Sequence, residues 1–315
     1  SPSAASAAVW KTRRGGMMLH GLTPLGAALV ALGVVVPVLL AWLAQPLLSA
    51  RAYEKQAWDS EDVFWRVGPD GLRLGKEAFP ALGDPPDKSL SVIVPAHNEE
   101  DRLPGMLEAT LAYLATRRRT TDSSFTYEVI VVDDGSSDGT RAVVERWVKD
   151  LGTDSVRLLT LRGNQGKGAA VRKGMLRMRG RYGLMADADA ATDIEDLDRL
   201  LTRMRDVETT AAVDGGDIVR QGMVVGSRAH MSGEAVAKRA LHRTVLMFVF
   251  HWCVSILCTR QIKDTQCGFK LFTRDTAAAV FGSLHLQRWA FDTEIIYICQ
   301  LLGIPMAVRD APLCY

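Results

Sequence analysis

Asp187-Ala188-Asp189 sets two carboxylates one residue apart, directly after the short apolar run Tyr182 to Ala186. Such a pair at a strand end can hold a hard divalent cation, because Mg²⁺ takes one or two carboxylates and completes its shell with phosphates and water. An ion held there would neutralise charge on a departing diphosphate. Two further acidic clusters share this setting. Pro95-Ala96-His97-Asn98-Glu99-Glu100 follows Leu90 to Val94, and Asp133-Asp134-Gly135-Ser136-Ser137-Asp138-Gly139-Thr140 follows Glu128 to Val132. One acidic turn reads as a helix cap, a role suited to Asp138 or Thr140. Three of them on strand ends need a cation or a donor partner, since clustered carboxylates repel. Asn164-Gln165-Gly166-Lys167-Gly168 adds a glycine-rich turn with a point charge suited to phosphate. It lacks the G-x-x-x-x-G-K-[ST] spacing of a P-loop.

The elements that must position these residues follow from hydrophobic pattern. Leu90 to Val94, Glu128 to Val132, Val156 to Leu161 and Tyr182 to Ala186 predict buried strands. Leu103 to Arg119, Thr140 to Leu151 and Ala169 to Arg179 predict the helices between them. This alternation implies βαβ units and an α/β fold, a Rossmann-like, mainly parallel sheet with flanking helices. In such folds the site lies at the carboxyl ends of the strands. Val207 to Gln221, with its Thr-Thr and Gly-Gly pairs, reads as a surface loop.

Of 315 residues, 48% are hydrophobic and 23% charged, which excludes a disordered chain. Lys+Arg is 38 against Asp+Glu 36, a net charge of +2, which argues against nucleic acid as a partner. The five cysteines, Cys253, Cys258, Cys267, Cys299 and Cys314, are odd in number and form no C-x-x-C, so a reduced compartment fits better than a disulfide scaffold.

No charged side chain occurs between Arg14 and Arg51, and the stretch 22–48 is rich in Leu, Val and Ala. It exceeds the roughly 20 apolar residues of a membrane span and is too long for the apolar region of a signal peptide. The expected organisation is an N-terminal segment (1–21), a transmembrane anchor (22–48), a linker or stalk (49–88) and a catalytic domain (89–315). Lys11, Arg13 and Arg14 precede the span, and Arg51 and Lys55 follow it. Read over all of them, the positive-inside rule puts the N-terminus in the cytosol; read from Met17 onward, it puts the C-terminal bulk there. A second apolar stretch, Thr244 to Cys258, is short for a span. It fits an interfacial or re-entrant helix, or a helix buried in the domain.

Taken in order, Val94-Pro95-Ala96-His97-Asn98-Glu99, Val132-Asp133-Asp134-Gly135-Ser136, Gly166-Lys167-Gly168 and Asp187-Ala188-Asp189 resemble the inverting glycosyltransferases of the GT-A type, which use nucleotide-sugar donors. Gly226-Ser227-Arg228-Ala229-His230, the segment from Asp264 to Phe272, and Arg288-Trp289-Ala290-Phe291-Asp292 are similar to one branch of them, the dolichyl-phosphate β-glucosyltransferases. The resemblance spans about residues 90–305. It implies glucose transfer from UDP-glucose to dolichyl phosphate with inversion, giving dolichyl β-D-glucosyl phosphate for N-glycosylation. The implied setting is the endoplasmic reticulum membrane, with lipid bilayer as a partner; the charge bias read from Met17 onward makes a cytosolic catalytic domain the expectation.

The resemblance also implies residue roles. Pro95, Ala96, Asn98 and Glu99 line the nucleoside pocket. Asp133 accepts a hydrogen bond from uracil, with Asp134 and Gly135 beside it, and Lys167 contacts the nucleotide. Asp187, Ala188 and Asp189 meet the diphosphate, and the two carboxylates bind Mg²⁺ or Mn²⁺. Arg228 faces the acceptor phosphate, with Arg239 or Arg243. The acceptor chemistry stands apart from the resemblance. A phosphate monoester, with its second pKa near 6, is largely a dianion at neutral pH and needs no general base. It needs cationic positioning in line with the sugar–diphosphate bond, for which the planar fork of Arg is suited. Asp292 and Glu294 are read either as orienting groups for the sugar or the arginines, or as structural ion-pair partners.

Two departures from the pattern stand out. Ala190-Ala191 occupies the place where polyprenyl-phosphate mannosyltransferases offer a further polar metal ligand. The sequence ends at Tyr315, where the family continues with a Trp/Glu/Gly-Ser-Lys segment and a basic, apolar tail; the expectation is a shortened form with impaired acceptor binding. Three rival readings are a GDP-mannose-dependent polyprenyl-phosphate mannosyltransferase, a processive polysaccharide synthase and a non-catalytic, membrane-anchored binding module. The synthase would require Q-x-x-R-W, and His285 stands at the Gln position here.

Overall fold

Residues 59–68, 70–212, 218–226 and 267–308 are described by the structure, a computed structural model. One helical turn, α1 (Asp59–Asp62), leads into an antiparallel hairpin of β1 (Val63–Val67) and β2 (Arg73–Ala78). Then come β3 (Lys88–Ala96), α2 (Leu103–Thr120), β4 (Tyr127–Asp133), α3 (Thr140–Leu151), β5 (Val156–Thr160), α4 (Lys167–Met175) and β6 (Gly180–Met185). The chain continues through α5 (Leu197–Val207), β7 (Thr209–Ala212), β8 (Ile218–Gln221) and β9 (Met223–Val225). After the undescribed residues 227–266 come β10 (Lys270–Thr273), α6 (Arg274–Ser283), α7 (Phe291–Leu301) and β11 (Met306–Val308).

Seven strands form the central sheet in the order β11-β9-β10-β6-β3-β4-β5. β6, β3, β4 and β5 run parallel, as do β9 and β11, so the sheet is mainly parallel as expected. β10 alone runs antiparallel to both of its neighbours. The order decides where a ligand can sit. The chain steps outward from β3 to β4 to β5, then returns to lay β6 on the other side of β3. That reversal opens a crevice beyond the carboxyl ends of β3 and β6.

The central strands read as unbroken apolar runs because helices cover both faces. Val92, Ile93 and Val94 of β3, Val129 to Val132 of β4, and Leu184 and Met185 of β6 are fully buried. α4 crosses close above them. Gly174 faces Ile93 and Val132, and a Cβ there would lie 2.6 Å from Ile93 Cγ2, so only glycine permits this approach.

A buried ionic network closes the opposite, amino end of the sheet. Glu128 is fully buried and accepts from Ser91 Oγ (2.5 Å), from the Arg179 backbone N–H (2.7 Å) and from Arg179 Nε (2.9 Å), and it pairs with Arg157. Burial alone would raise its carboxyl pKa, but the Arg157 guanidinium, helped by Arg179, holds it below the usual range. This network also explains a boundary. The helix expected through Arg179 ends at Met175, and β6 begins at Gly180, whose N–H donates to Ser91 Oγ (2.8 Å).

Two further expectations are revised. Residues 63–78, read as part of a stalk, form the β1–β2 hairpin; Phe64 packs against Phe79 with the rings tilted (4.9 Å between centroids), and Arg157 lies over both rings. Residues 207–221, read as a loop, include the β7–β8 ladder, which pairs Thr209 with Gln221 through Ala212 with Ile218. Among the described residues no helix is long and apolar enough to cross a membrane. The expected anchor (22–48) and the second apolar stretch (244–258) lie outside the described residues.

Candidate active site

The three acidic turns converge at the switch point. Pro95, Ala96, Glu99, Asp134, Lys167, Asp187, Ala188 and Asp189 line one cleft of about 400 Å³. His97, Arg102, Asn164, Gly166, Ala170, Arg288 and Trp289 complete its wall. A second cavity of about 470 Å³ lies between the hairpin and α3, but it holds neither the acidic pair nor the glycine-rich turn.

Backbone and side-chain hydrogen bonds hold the first two turns together. Asn98 accepts from the Ser137 N–H (2.8 Å), and its own N–H donates to Ser136 Oγ (3.1 Å). Asn98 sits at φ +55, a conformation that Asn tolerates better than most residues. The Glu99 N–H donates to Thr140 Oγ1 (2.7 Å), and Glu100 accepts from the Gly139 N–H (2.8 Å). Asp138 accepts from the Thr140 N–H (3.0 Å) but stands one residue ahead of the N-cap, Gly139, so it closes the turn before α3 and does not occupy the expected cap position. Asp133 is nearly buried and accepts from the Ser136 N–H (2.9 Å). Asn98 and Asp133 thus tie the turns together; they and Gly135 are not among the residues that line the cleft.

Asp134 holds the glycine-rich turn. Its carboxylate accepts from the backbone N–H groups of Gln165 (2.6 Å) and Gly166 (2.8 Å), and burial pushes its pKa above the ordinary carboxylate range. Gly166 is at φ +98, and a Cβ there would lie 2.6 Å from the Gln287 carbonyl. The turn then starts α4 at Lys167, two residues earlier than expected, and brings the positive end of its dipole to the cleft. Lys167 Nζ lies 2.6 Å from Asp187 Oδ1.

Asp189 is exposed; one of its oxygens accepts from the Ala191 N–H (3.0 Å), and the other lies 4.0 Å from Arg102. Arg102 also donates to Glu99 Oε1 (2.6 Å). Glu99 Oε2 is buried and has no hydrogen-bond partner among the described residues. A buried acceptor left unmade is costly, and Glu99 is one of the residues that line the cleft. Two hard carboxylates beside a cationic Lys fit a divalent cation whose shell is completed by phosphates and water. Among the described residues no third His, Cys, Asp or Glu joins them.

Several contributors lie in segments that the sequence marks without giving their contacts. Gly268 packs on Asp187, where a Cβ would lie 2.0 Å from Oδ2. Gly268→Ala is therefore expected to displace the carboxylate and lower turnover by about a hundredfold, with the unfolding midpoint little changed as the control. Lys270 is fully buried, pairs with Asp292 and donates to the Cys267 carbonyl (2.7 Å), which fixes the backbone next to Gly268. Asp292 is thus a structural ion-pair partner. Glu294 accepts from the backbone N–H groups of His285 (3.0 Å) and Leu286 (2.7 Å). That segment docks on α4 through the Ala169 N–H to the Gln287 carbonyl (3.0 Å), which carries Arg288 and the exposed Trp289 to the cleft rim. Cys267 and Cys299 are buried, and burial pushes the Cys299 thiol up to about 12, which keeps it protonated. Arg228, Arg239 and Arg243 lie outside the described residues.

The sequence profile described as glycosyl transferase family 2 matches residues 91–259. The chain belongs to glycosyltransferase family 2. The dolichyl-phosphate beta-glucosyltransferase of Homo sapiens is 42% identical over 290 residues, covering 92% of this chain and 84% of the human protein. The protein of the same name from Drosophila melanogaster is 49% identical over 229 residues, covering 73% of this chain and 68% of the relative. Among solved structures, glucosyl-3-phosphoglycerate synthase from Mycobacterium tuberculosis in complex with Mn²⁺, UDP and phosphoglyceric acid is 16% identical with a TM-score of 0.45, covering 70% of this chain and 68% of that one. The family 2 match begins inside β3 and includes every acidic turn, the glycine-rich turn and the three undescribed arginines. It stops before β10, so Gly268 against Asp187, the buried Lys270, and Arg288 and Trp289 on the cleft wall all come from outside the matched region.

Proposed function

We propose that this chain transfers glucose from UDP-glucose to dolichyl phosphate with inversion. One observation carries the reading: the acidic pair and Lys167 meet at the sheet's switch point in a chain 42% identical, over 92% of its length, to a dolichyl-phosphate beta-glucosyltransferase. The uridine and ribose lie along Pro95, Ala96 and Glu99, with the buried Glu99 Oε2 accepting from a ribose hydroxyl. Asp133 and Asp134 hold the turns that frame the base. Lys167 and the start of α4 meet the diphosphate. Asp187 and Asp189 would hold Mg²⁺ or Mn²⁺, which when bound supplies charge neutralisation on the leaving diphosphate. The acceptor phosphate, already a dianion, attacks the anomeric carbon on the face opposite UDP, and this single displacement inverts the centre. Its oxygen forms the new bond as the bond to the diphosphate breaks, and no proton has to be removed first. Arg228, with Arg239 or Arg243, positions that phosphate in the proposal.

The test is transfer of labelled glucose to dolichyl phosphate by the detergent-solubilised chain, with Mg²⁺ or with EDTA, beside the same assay with GDP-mannose. Metal-dependent, lipid-linked glucose is the expected product. Mannose transfer would replace the donor assignment, and absence of both products would replace the reading with a binding module. The proposal extends to an endoplasmic reticulum membrane setting with the anchor at 22–48 and the domain in the cytosol. Protease added outside sealed microsomes is expected to cleave the domain; full protection would reverse the orientation.

A further inference from the structure

We propose that Glu61, on the helical turn ahead of the hairpin, is a positioning residue for the donor turn Gln165-Gly166-Lys167. The inference rests on the reading of the cleft as a UDP-glucose site. Glu61 is 2% exposed, and both of its carboxylate oxygens are engaged. Oε2 pairs with Lys173 of α4, and Oε1 accepts from Gln165 Nε2 (3.0 Å), across 104 residues of chain. The neighbouring Asp62 pairs with Arg177 just past the end of α4 (2.7 Å). α1 therefore grips α4 and the turn that begins it.

Gln165 is the hinge of the argument. It is nearly buried, with its side chain held by Glu61 and its backbone N–H held by Asp134 (2.6 Å). The next residue, Gly166, is bound to the same Asp134 (2.8 Å) and turns the chain at φ +98. The residue after that is Lys167, whose Nζ is 2.6 Å from Asp187. An unbroken line of contacts thus runs from a segment read as a stalk to the cation that meets the diphosphate. Three groups set the turn: Asp134 through the backbone, Gln287 by closing on Gly166, and Glu61 through the Gln165 side chain. Glu61 is the only one of the three that lies before the catalytic sheet in the chain.

A purely structural Glu61–Lys173 pair predicts a different outcome from a positioning role, because Gln165→Ala leaves that pair intact. In the full chain in detergent, Gln165→Ala is expected to raise KM for UDP-glucose about tenfold, with kcat changed less than about twofold. The Kd for UDP, measured by calorimetry, rises by a similar factor. Glu61→Gln keeps an acceptor for Gln165 and is expected to bind UDP within about threefold of wild type, whereas Glu61→Ala matches Gln165→Ala. Because the two residues act through one contact, the Glu61→Ala/Gln165→Ala double variant binds UDP no more weakly than Glu61→Ala alone. Unchanged KM and Kd in Gln165→Ala, with a lowered unfolding midpoint in the Glu61 variants, would reduce the contact to a structural pair and overturn the proposal. Failure of the wild-type chain to bind UDP would overturn the donor-site reading itself, and this inference with it.

Discussion

Asp187→Asn is expected to lower kcat/KM for UDP-glucose by about three orders of magnitude, ~4 kcal/mol of transition-state stabilisation. Asn keeps the shape of the side chain, so the close contact with Gly268 survives and the loss is one of charge. That charge has two uses in the proposed reaction. It anchors Lys167 at 2.6 Å, and it supplies a hard oxygen ligand where negative charge develops on the leaving diphosphate. Removing it leaves Lys167 without this partner and the cation with Asp189 as its carboxylate ligand. Steady-state kinetics at saturating dolichyl phosphate, with an unfolding midpoint for each variant, measures the effect. Activity within tenfold of wild type would remove Asp187 from the diphosphate site.

Glu128→Ala is expected to destabilise the fold by about 3–5 kcal/mol, the cost of leaving a buried charge without its partner. Arg157 is 1% exposed and would lose its carboxylate, as would the buried side of Arg179. The network lies at the amino end of the sheet, opposite the cleft, so KM for UDP-glucose stays near wild type in the fraction that folds. Urea unfolding followed by tryptophan fluorescence measures the loss. A change below about 1 kcal/mol would mean that water or local repacking takes over the arginines. The same network sets a pH dependence. The folded Glu128 pKa lies below its unfolded value of about 4.3. Its contribution is therefore complete above that pH and is lost as pH falls through the folded value. Glu128→Gln should correspondingly flatten the acid limb of the stability profile.

The parts of the site that were legible in the chain are the ones whose chemistry is local. A strand that must be buried on both faces is written as a run of Val, Ile and Leu, so β3, β4, β5 and β6 were each located to within about two residues. The acidic and glycine-rich turns are contiguous, and the α/β alternation already sends their ends to one edge of the sheet. The hairpins were not legible for a related reason. Arg73, Leu74, Gly75 and Lys76 alternate weakly and are mostly exposed, so β2 is held by pairing with β1 and by Phe64 on Phe79 rather than by its own pattern.

Local order, fold class and the identity of the charged groups are thus properties of neighbouring residues, and the sequence carries them through periodicity and residue type. The division of labour among the acids is not such a property. Asp133 and Asp134 are adjacent, yet one closes a turn at Ser136 while the other holds Gln165 and Gly166. Asp292 and Asp187 are both acids in conspicuous motifs, yet one neutralises buried Lys270 and the other faces the cleft beside Lys167. Gly268 and Glu61 matter because of what lies against them in space, Asp187 in one case and Gln165 in the other. A carboxylate's role is set by the donors within about 3 Å of it, and those donors come from strands and loops far apart along the chain. Only tertiary packing brings them within that distance.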